Sequence, residues 1–159
     1  MLTRNTYRYI GRRTPRVDAR DKVTGKTIFP TDRYLPGMLI GKALRSSHAH
    51  ASIVRLDVER ARKLPGVHAV LTHQDIPGHS GFGIITPNWP VLCRDRVKYR
   101  GDAIALVAAD NEEIAGQALS LIEVEYKPLP VLDTPAEALR DDAPRIHEGG
   151  NILHFLNRV

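Results

Sequence analysis

The segment ASIVRLDVERARKLPGVHAVLTH, residues 51–73, contains the pattern on which the prediction of the fold rests. Apolar and polar residues alternate over its first seven positions, which is typical of a half-buried strand with Ile53, Arg55 and Asp57 on one side. Asp57 also stands where a helix N-cap belongs, and Pro65 with the glycine after it ends the short helix that follows. The remaining residues, VHAVLTH, return to a strand pattern, so the segment predicts strand, helix and strand in succession.

The same order of elements recurs further along the chain. DAIALVAAD is an apolar strand whose last residue, Asp110, is a candidate N-cap with Glu113 at the spacing of a capping box. NEEIAGQALSLI then predicts a helix, and EVEYKPLPV predicts an extended segment that Pro128 and Pro130 end. One face of the helix carries the apolar residues Ile114, Ala118, Leu121 and Ile122.

Together these segments predict an α+β domain that has a small mixed sheet and two or three short helices. GMLIGKALRSS adds a strand, and the Gly- and Pro-rich QDIPGHSGFGIITPNWP predicts a long surface loop between the two units. The apolar faces predict a core that includes Val70, Leu106, Val107, Leu119 and Ile122.

The positive charge is concentrated in an N-terminal arm. Residues 1–26 hold eight Arg or Lys and two Asp, whereas the whole chain of 159 residues has a net charge of +5. No RNA-binding motif accompanies the arm, so the prediction is an acidic protein surface as its partner and no nucleic acid. No apolar run approaches the length of a membrane span, so we expect no membrane as a partner. The single cysteine fits a reducing compartment, so we expect a cytoplasmic location.

His48 and His50 are the first candidates for a metal site. Two histidines one residue apart share a face of a strand, and a site would recruit further ligands from His68, His73 or His79. No ligand spacing such as H-E-x-x-H appears, so the interpretation favoured here is a polar turn at the start of a strand.

Three other features have a catalytic and a structural interpretation. Glu123 and Glu125 could form an acid/base pair, but like charges on an exposed strand face are commoner. Cys93 follows two apolar residues, which favours a packed thiol over a nucleophile, and Trp89 favours a loop anchor over a ring that stacks on a ligand. We therefore assign no catalytic, cofactor-binding or metal-binding residue to this chain.

Longer motifs carry a resemblance to a known family. IGRRTPRVDARDKVTGKTIFPTD is similar to an opening segment with the pattern IG–x–x–x–P–R–x–D–x–x–x–K–VTG. SSHAHASIVRLD, PGV after the helix, and THQDIPG are similar to that family's signature stretch, and VLCRDRVKYRG with VEYKPLP is similar to a later block. From Ile10 to Asn151 the sequence thus resembles the N-terminal α/β hammerhead domain of the molybdopterin-binding subunit in the xanthine dehydrogenase/aldehyde oxidase family.

The resemblance implies a structural or docking part of a molybdenum hydroxylase, an oxidoreductase complex. It implies a holoenzyme with molybdopterin, [2Fe–2S] clusters and FAD, none of them held by this chain, which would not be catalytic alone. The implied partners are a molybdenum-binding large chain, or a continuation of the same chain, together with iron–sulfur and flavin subunits. The turn around His50 is then expected to bond to backbone or to a neighbouring domain.

We predict three parts: a basic arm at residues 1–26, a hammerhead domain at 27–150, and an apolar tail at 151–159. The tail is expected to pack on a partner or on a continuation of the chain, and the alternative is that it folds back on the domain's own sheet. The alternative function is a free-standing protein-binding module that has the hammerhead fold and no enzyme association. The apolar residues of the tail are Ile152, Leu153, Phe155, Leu156 and Val159.

Overall fold

The structure is a computed structural model that describes residues 9–11, 13–84 and 86–156. Their contacts divide the chain into two compact units, the residues up to Met38 and those from Leu39 onward. This division lies C-terminal to the arm boundary predicted after residue 26, and the three-part division stays a prediction. Residues 1–8 and 12 of the predicted arm, and Val159 of the predicted tail, lie outside the described residues.

The unit up to Met38 contains one short helix, α1 (Ala19–Val23), and a 3-10 turn at Pro30–Asp32. Asp18 precedes the helix. Its Oδ2 forms an ion pair with Lys22 Nζ at 2.6 Å and another with Arg16 Nη2 at 3.1 Å. The two cations lower the pKa of the Asp18 carboxyl. All three side chains are exposed to solvent to a large extent, so these pairs contribute little to stability.

The second unit is built on small antiparallel sheets. Its strands are β1 (Ile40–Arg45), β2 (Ala51–Asp57), β3 (Val67–Leu71), β4 (Gly81–Phe82), β5 (Trp89–Pro90), β6 (Arg96–Val97), β7 (Ala103–Ala109) and β8 (Glu123–Pro128). In sheet A the strand order is β1, β7, β3, and in sheet B it is β6, β2, β8, while β4 and β5 form a two-stranded sheet. The α+β class is confirmed. The predicted single mixed sheet becomes three antiparallel ones, because residues 46–50 carry the chain from β1 into a different sheet.

A β-bulge in β2 changes which side chains face the core. The register with β8 shifts between Ile53, which lies opposite Tyr126, and Arg55, which lies opposite Glu125. Ile53 therefore packs into the core with Leu56, while Arg55 and Asp57 face away from it. The prediction that Ile53 shares a side with Arg55 and Asp57 is wrong, since strict alternation does not anticipate an extra residue.

The helices of this unit are α2 (Glu59–Arg62), α3 (Glu112–Ser120) and α4 (Pro135–Ala138). The N-cap position of α2 is Val58, whose side chain makes no capping hydrogen bond. Asp57, one residue before it, accepts a hydrogen bond from the N–H of Glu59. For α3 the N-cap is Asn111, whose Oδ1 accepts from the N–H of Ile114 at 2.9 Å. The prediction of Asp110 as this cap is wrong, because the backbone first becomes helical one residue later.

The core consists of two clusters of buried apolar residues. The larger lies between α2, α3 and sheet A, and it includes three of the predicted core residues, Val70, Val107 and Ile122. The smaller joins Ala51, Cys93, Val97 and Ile104. Leu106 and Leu119 are only half-buried, since Leu106 lies on the opposite face of β7 and Leu119 lies at the rim of α3.

Candidate functional site

The turn at residues 46–50 ties the start of β2 to the segment after β8. Ser46 Oγ donates to the carbonyl of His48 at 2.9 Å and accepts from the N–H of His48 at 3.0 Å. His50 is 5% exposed, and its Nδ1 forms a hydrogen bond with the carbonyl of Pro130. The carbonyl of His50 also accepts from the N–H of Leu129, so the expected bond from His50 to backbone is present within this chain.

The other candidate metal ligands are dispersed. The His48 ring packs on Tyr126 with centroids 4.5 Å apart, and His68 Nε2 pairs with Asp110 Oδ1 at 2.7 Å. Within the described part of the chain, no group of three or more His, Cys, Asp or Glu side chains could hold a metal ion. These residues therefore do not fit a molybdenum or iron–sulfur site.

Cys93 is fully buried and lies against Asp102, which is 2% exposed. Burial, followed by a hydrogen bond to the Asp102 carboxylate, raises the pKa of the Cys93 thiol well above its usual range. Asp102 also accepts from the N–H of Lys98 at 3.0 Å, so it connects β6 to the start of β7. A thiol in its protonated form is a poor nucleophile, and this position acts as a packing group.

Trp89 anchors the Gly- and Pro-rich segment. Its ring stacks on Phe82 at 5.6 Å and meets Tyr99 edge-on at 5.7 Å, and its Nε1 donates to Tyr99 Oη at 3.3 Å. A cavity of about 190 Å³ lies beside the rings of Trp89 and Tyr99, and Lys98 and His147 also line it. The segment thus contains ordered structure, including the β4–β5 pair, where the sequence predicted a loop.

Sequence reasoning missed the contact between Lys98 and His147, which are 49 positions apart. Lys98 Nζ lies 3.2 Å from His147 Nδ1. Burial and the Lys98 charge lower the pKa of His147, so the neutral ring accepts a hydrogen bond from the ammonium. No local pattern signals such a pair, because it depends on how the segment after α4 returns to β6.

Glu123 and Glu125 lie on the solvent-facing side of β8. Both are exposed, and Glu123 Oε1 accepts from Arg60 at 3.0 Å. Across the strands, Glu125 is the partner of Arg55 and Glu123 is the partner of Asp57. The two glutamates therefore belong to a solvated, charged strand face, which was the structural interpretation of this pair.

The described part of the predicted tail leaves its apolar side chains in water. Asn151 is fixed, because its Nδ2 donates to the carbonyls of Ala138 and Pro144 and its Oδ1 accepts from the N–H of Ile146. The four apolar residues that follow it are 62–80% exposed: Ile152, Leu153, Phe155 and Leu156. Over these residues the tail does not bury itself on the domain's own sheet.

Comparison with known proteins identifies the family to which this fold belongs. The family profile described as "Aldehyde oxidase and xanthine dehydrogenase, a/b hammerhead domain" matches residues 24–130. The chain belongs to this family. A probable xanthine dehydrogenase subunit from Bacillus subtilis (strain 168) is 58% identical over 139 residues, which cover 87% of this chain and 19% of that protein.

Two further relatives give the same result. The nicotinate dehydrogenase large molybdopterin subunit of Eubacterium barkeri is 42% identical over 92% of this chain and 34% of its own length. The solved aldehyde oxidoreductase of Desulfovibrio gigas superposes with a TM-score of 0.76 at 34% identity, over 85% of this chain and 16% of that one. This hammerhead chain therefore spans about one fifth to one third of the length of these two curated relatives.

No helix in residues 9–11, 13–84 or 86–156 is long and apolar enough to cross a membrane.

Proposed function

We propose that this hammerhead chain is a structural module of a molybdenum hydroxylase, seated against the part of a molybdenum-binding subunit that carries the cofactor. The observation that carries the proposal is the pairing of a family fold with apolar surface that the described chain does not cover. Leu153 and Phe155 are 65% and 80% exposed although Asn151 fixes the backbone just before them. A large apolar cluster in water usually marks an interaction site.

The partner of this interaction is the molybdenum-binding large chain or a continuation of the same chain. In the relatives this region is a minor share of a longer subunit, 19% in the B. subtilis protein. The holoenzyme would contain molybdopterin, [2Fe–2S] clusters and FAD on other domains or subunits, and a cytoplasmic location stays a prediction. The chain's own contribution is to position that subunit, and it supplies no reacting group.

The test is co-production of the tagged chain with the remaining part of the B. subtilis subunit, in a host that makes the molybdenum cofactor. Molybdenum and pterin are then measured in the material that the tag retains. The proposal predicts molybdenum bound to the complex in a fixed ratio and none bound to the isolated chain. A tagged chain that purifies without the second polypeptide would refute the proposal, and the result would favour a free-standing module.

A further inference from the structure

One face of sheet A packs on α3, and the other face packs on neither core cluster. On the covered face Ala105, Val107 and Ala109 of β7 are at most 1% exposed and belong to the larger cluster. The side chains of the opposite face follow from the register of β1, β7 and β3, and we call this surface the open face. A register shift of β7 at Ile104 turns that side chain into the smaller cluster, and the exposed Arg45 lies at one end of the open face. The centre of the open face is formed by Gly41, Ala43, Ala69, Leu71, Leu106 and Ala108.

The open face is apolar and remains accessible. None of the six central residues carries a charge or a polar side chain, and none is a member of either cluster. Arg45, at the end of the face, donates to the carbonyl of Gly101 at 2.9 Å. Leu71 is 40% exposed, Gly41 is exposed, and the other four are half-buried. Small residues at most of its positions allow another backbone to approach closely.

The outer face of sheet B, which is exposed to solvent, is charged and contrasts with the open face of sheet A. There the outward side chains are Arg55, Asp57, Glu123, Glu125 and Lys127. Antiparallel sheets with one solvated face show this alternation of apolar and polar residues. β7 does not show it, because all seven of its residues are apolar, AIALVAA, which is typical of a strand covered on both faces.

We propose that the open face is covered by an apolar helix or strand of the molybdenum-binding subunit outside the hammerhead region. This inference rests on the proposed function and names the surface through which it acts. The occupant follows from the relatives, in which the matched region is 16–20% of the chain in most cases, so most of each subunit lies outside it. The centre of the face, which has no charged or hydrogen-bonding side chain, selects an apolar partner surface over a charged one.

The experiment places a charge on the open face. Ala108→Arg acts at its centre, and Leu71→Arg acts on edge strand β3, where a long side chain is easily accommodated. Val54→Arg is the matched control, because Val54 is an exposed apolar residue of sheet B, 58% accessible, and receives the same charge. Each variant is co-produced with the remaining part of the B. subtilis subunit, and its isolated chain is checked by thermal unfolding.

We expect both open-face variants to weaken assembly by about tenfold or more in Kd, because a buried unpaired guanidinium is costly. Val54→Arg should assemble like the unmodified chain, and Leu71→Arg should unfold at nearly the unmodified temperature. Unchanged assembly of Leu71→Arg and of a folded Ala108→Arg would overturn this inference alone. A dimer of the isolated chain that Leu71→Arg dissociates would overturn it also, by assigning the face to a second copy. Failure of the unmodified chain to assemble would refute the proposed function itself.

Discussion

His147 makes the stability of this chain depend on pH. Its pKa is lowered from the usual 6.5 by burial and by Lys98, so the unfolded chain takes up a proton at a higher pH than the folded chain. The contribution of His147 to the free energy of unfolding is therefore present above pH 6.5 and falls as the pH drops through that value. Urea unfolding at about pH 8 and about pH 5.5 should show a smaller loss for His147→Gln than for the unmodified chain. Equal losses would contradict the assigned contact with Lys98.

Cys93 should be inert while the chain is folded. Its thiol is buried and its pKa is raised by burial and by Asp102, so thiolate is scarce at neutral pH. A chromogenic disulfide reagent at about pH 8 should react slowly with the native chain and at the rate of a free cysteine in urea. Rapid reaction of the native chain would show that Cys93 is accessible and would reopen its role as a nucleophile.

Two positions of β7, Ile104 and Leu106, should respond differently to truncation. Ile104 is fully buried in the smaller cluster, so Ile104→Ala should cost about 2–5 kcal/mol of unfolding free energy. Leu106 lies on the open face and is half-buried, so Leu106→Ala should cost less. Denaturant unfolding of both variants measures the difference. A larger loss for Leu106 would mean that the open face is packed inside this chain.

The cap of α3 gives a second test of element structure. Asn111→Ala removes the acceptor for the N–H of Ile114 and should cost about 0.5–2 kcal/mol. Asp110→Ala removes only an exposed contact with His68 and should cost less. Chemical denaturation of the two variants distinguishes the observed cap from the one that the sequence predicted, and the reverse order would favour Asp110.

The sequence predicted β2 and α3 within a residue or two, and the start of β8, because their apolar periodicity is local. It did not predict the bulge at Ile53, the shift of the α3 cap to Asn111, or the exposure of Leu106, since each depends on a register or on a neighbouring element. The packed roles of Cys93 and the turn at His50 were accessible to sequence reasoning. The pair of Lys98 with His147 was not, because residues distant along the chain form it.

At the scale of the whole molecule, the tail should act in assembly and not in folding. Deletion of residues 152–159 removes exposed apolar side chains and leaves Asn151 with its bonds to Ala138 and Pro144. We expect unchanged thermal stability of the isolated chain and weaker association with the molybdenum-binding part. Deletion from residue 150 is the informative comparison, because it also removes Asn151 and should lower stability. Lost stability with unchanged assembly in the shorter deletion would contradict docking by the tail.

Assembly of this hammerhead chain with a cofactor-carrying partner, through its apolar surface, underlies both proposals. The most direct measurement is light scattering after size-exclusion chromatography of the chain co-purified with the remaining part of the B. subtilis subunit. We expect a single species whose molar mass equals one copy of each polypeptide. Two separate peaks, each with the mass of one polypeptide alone, would contradict it.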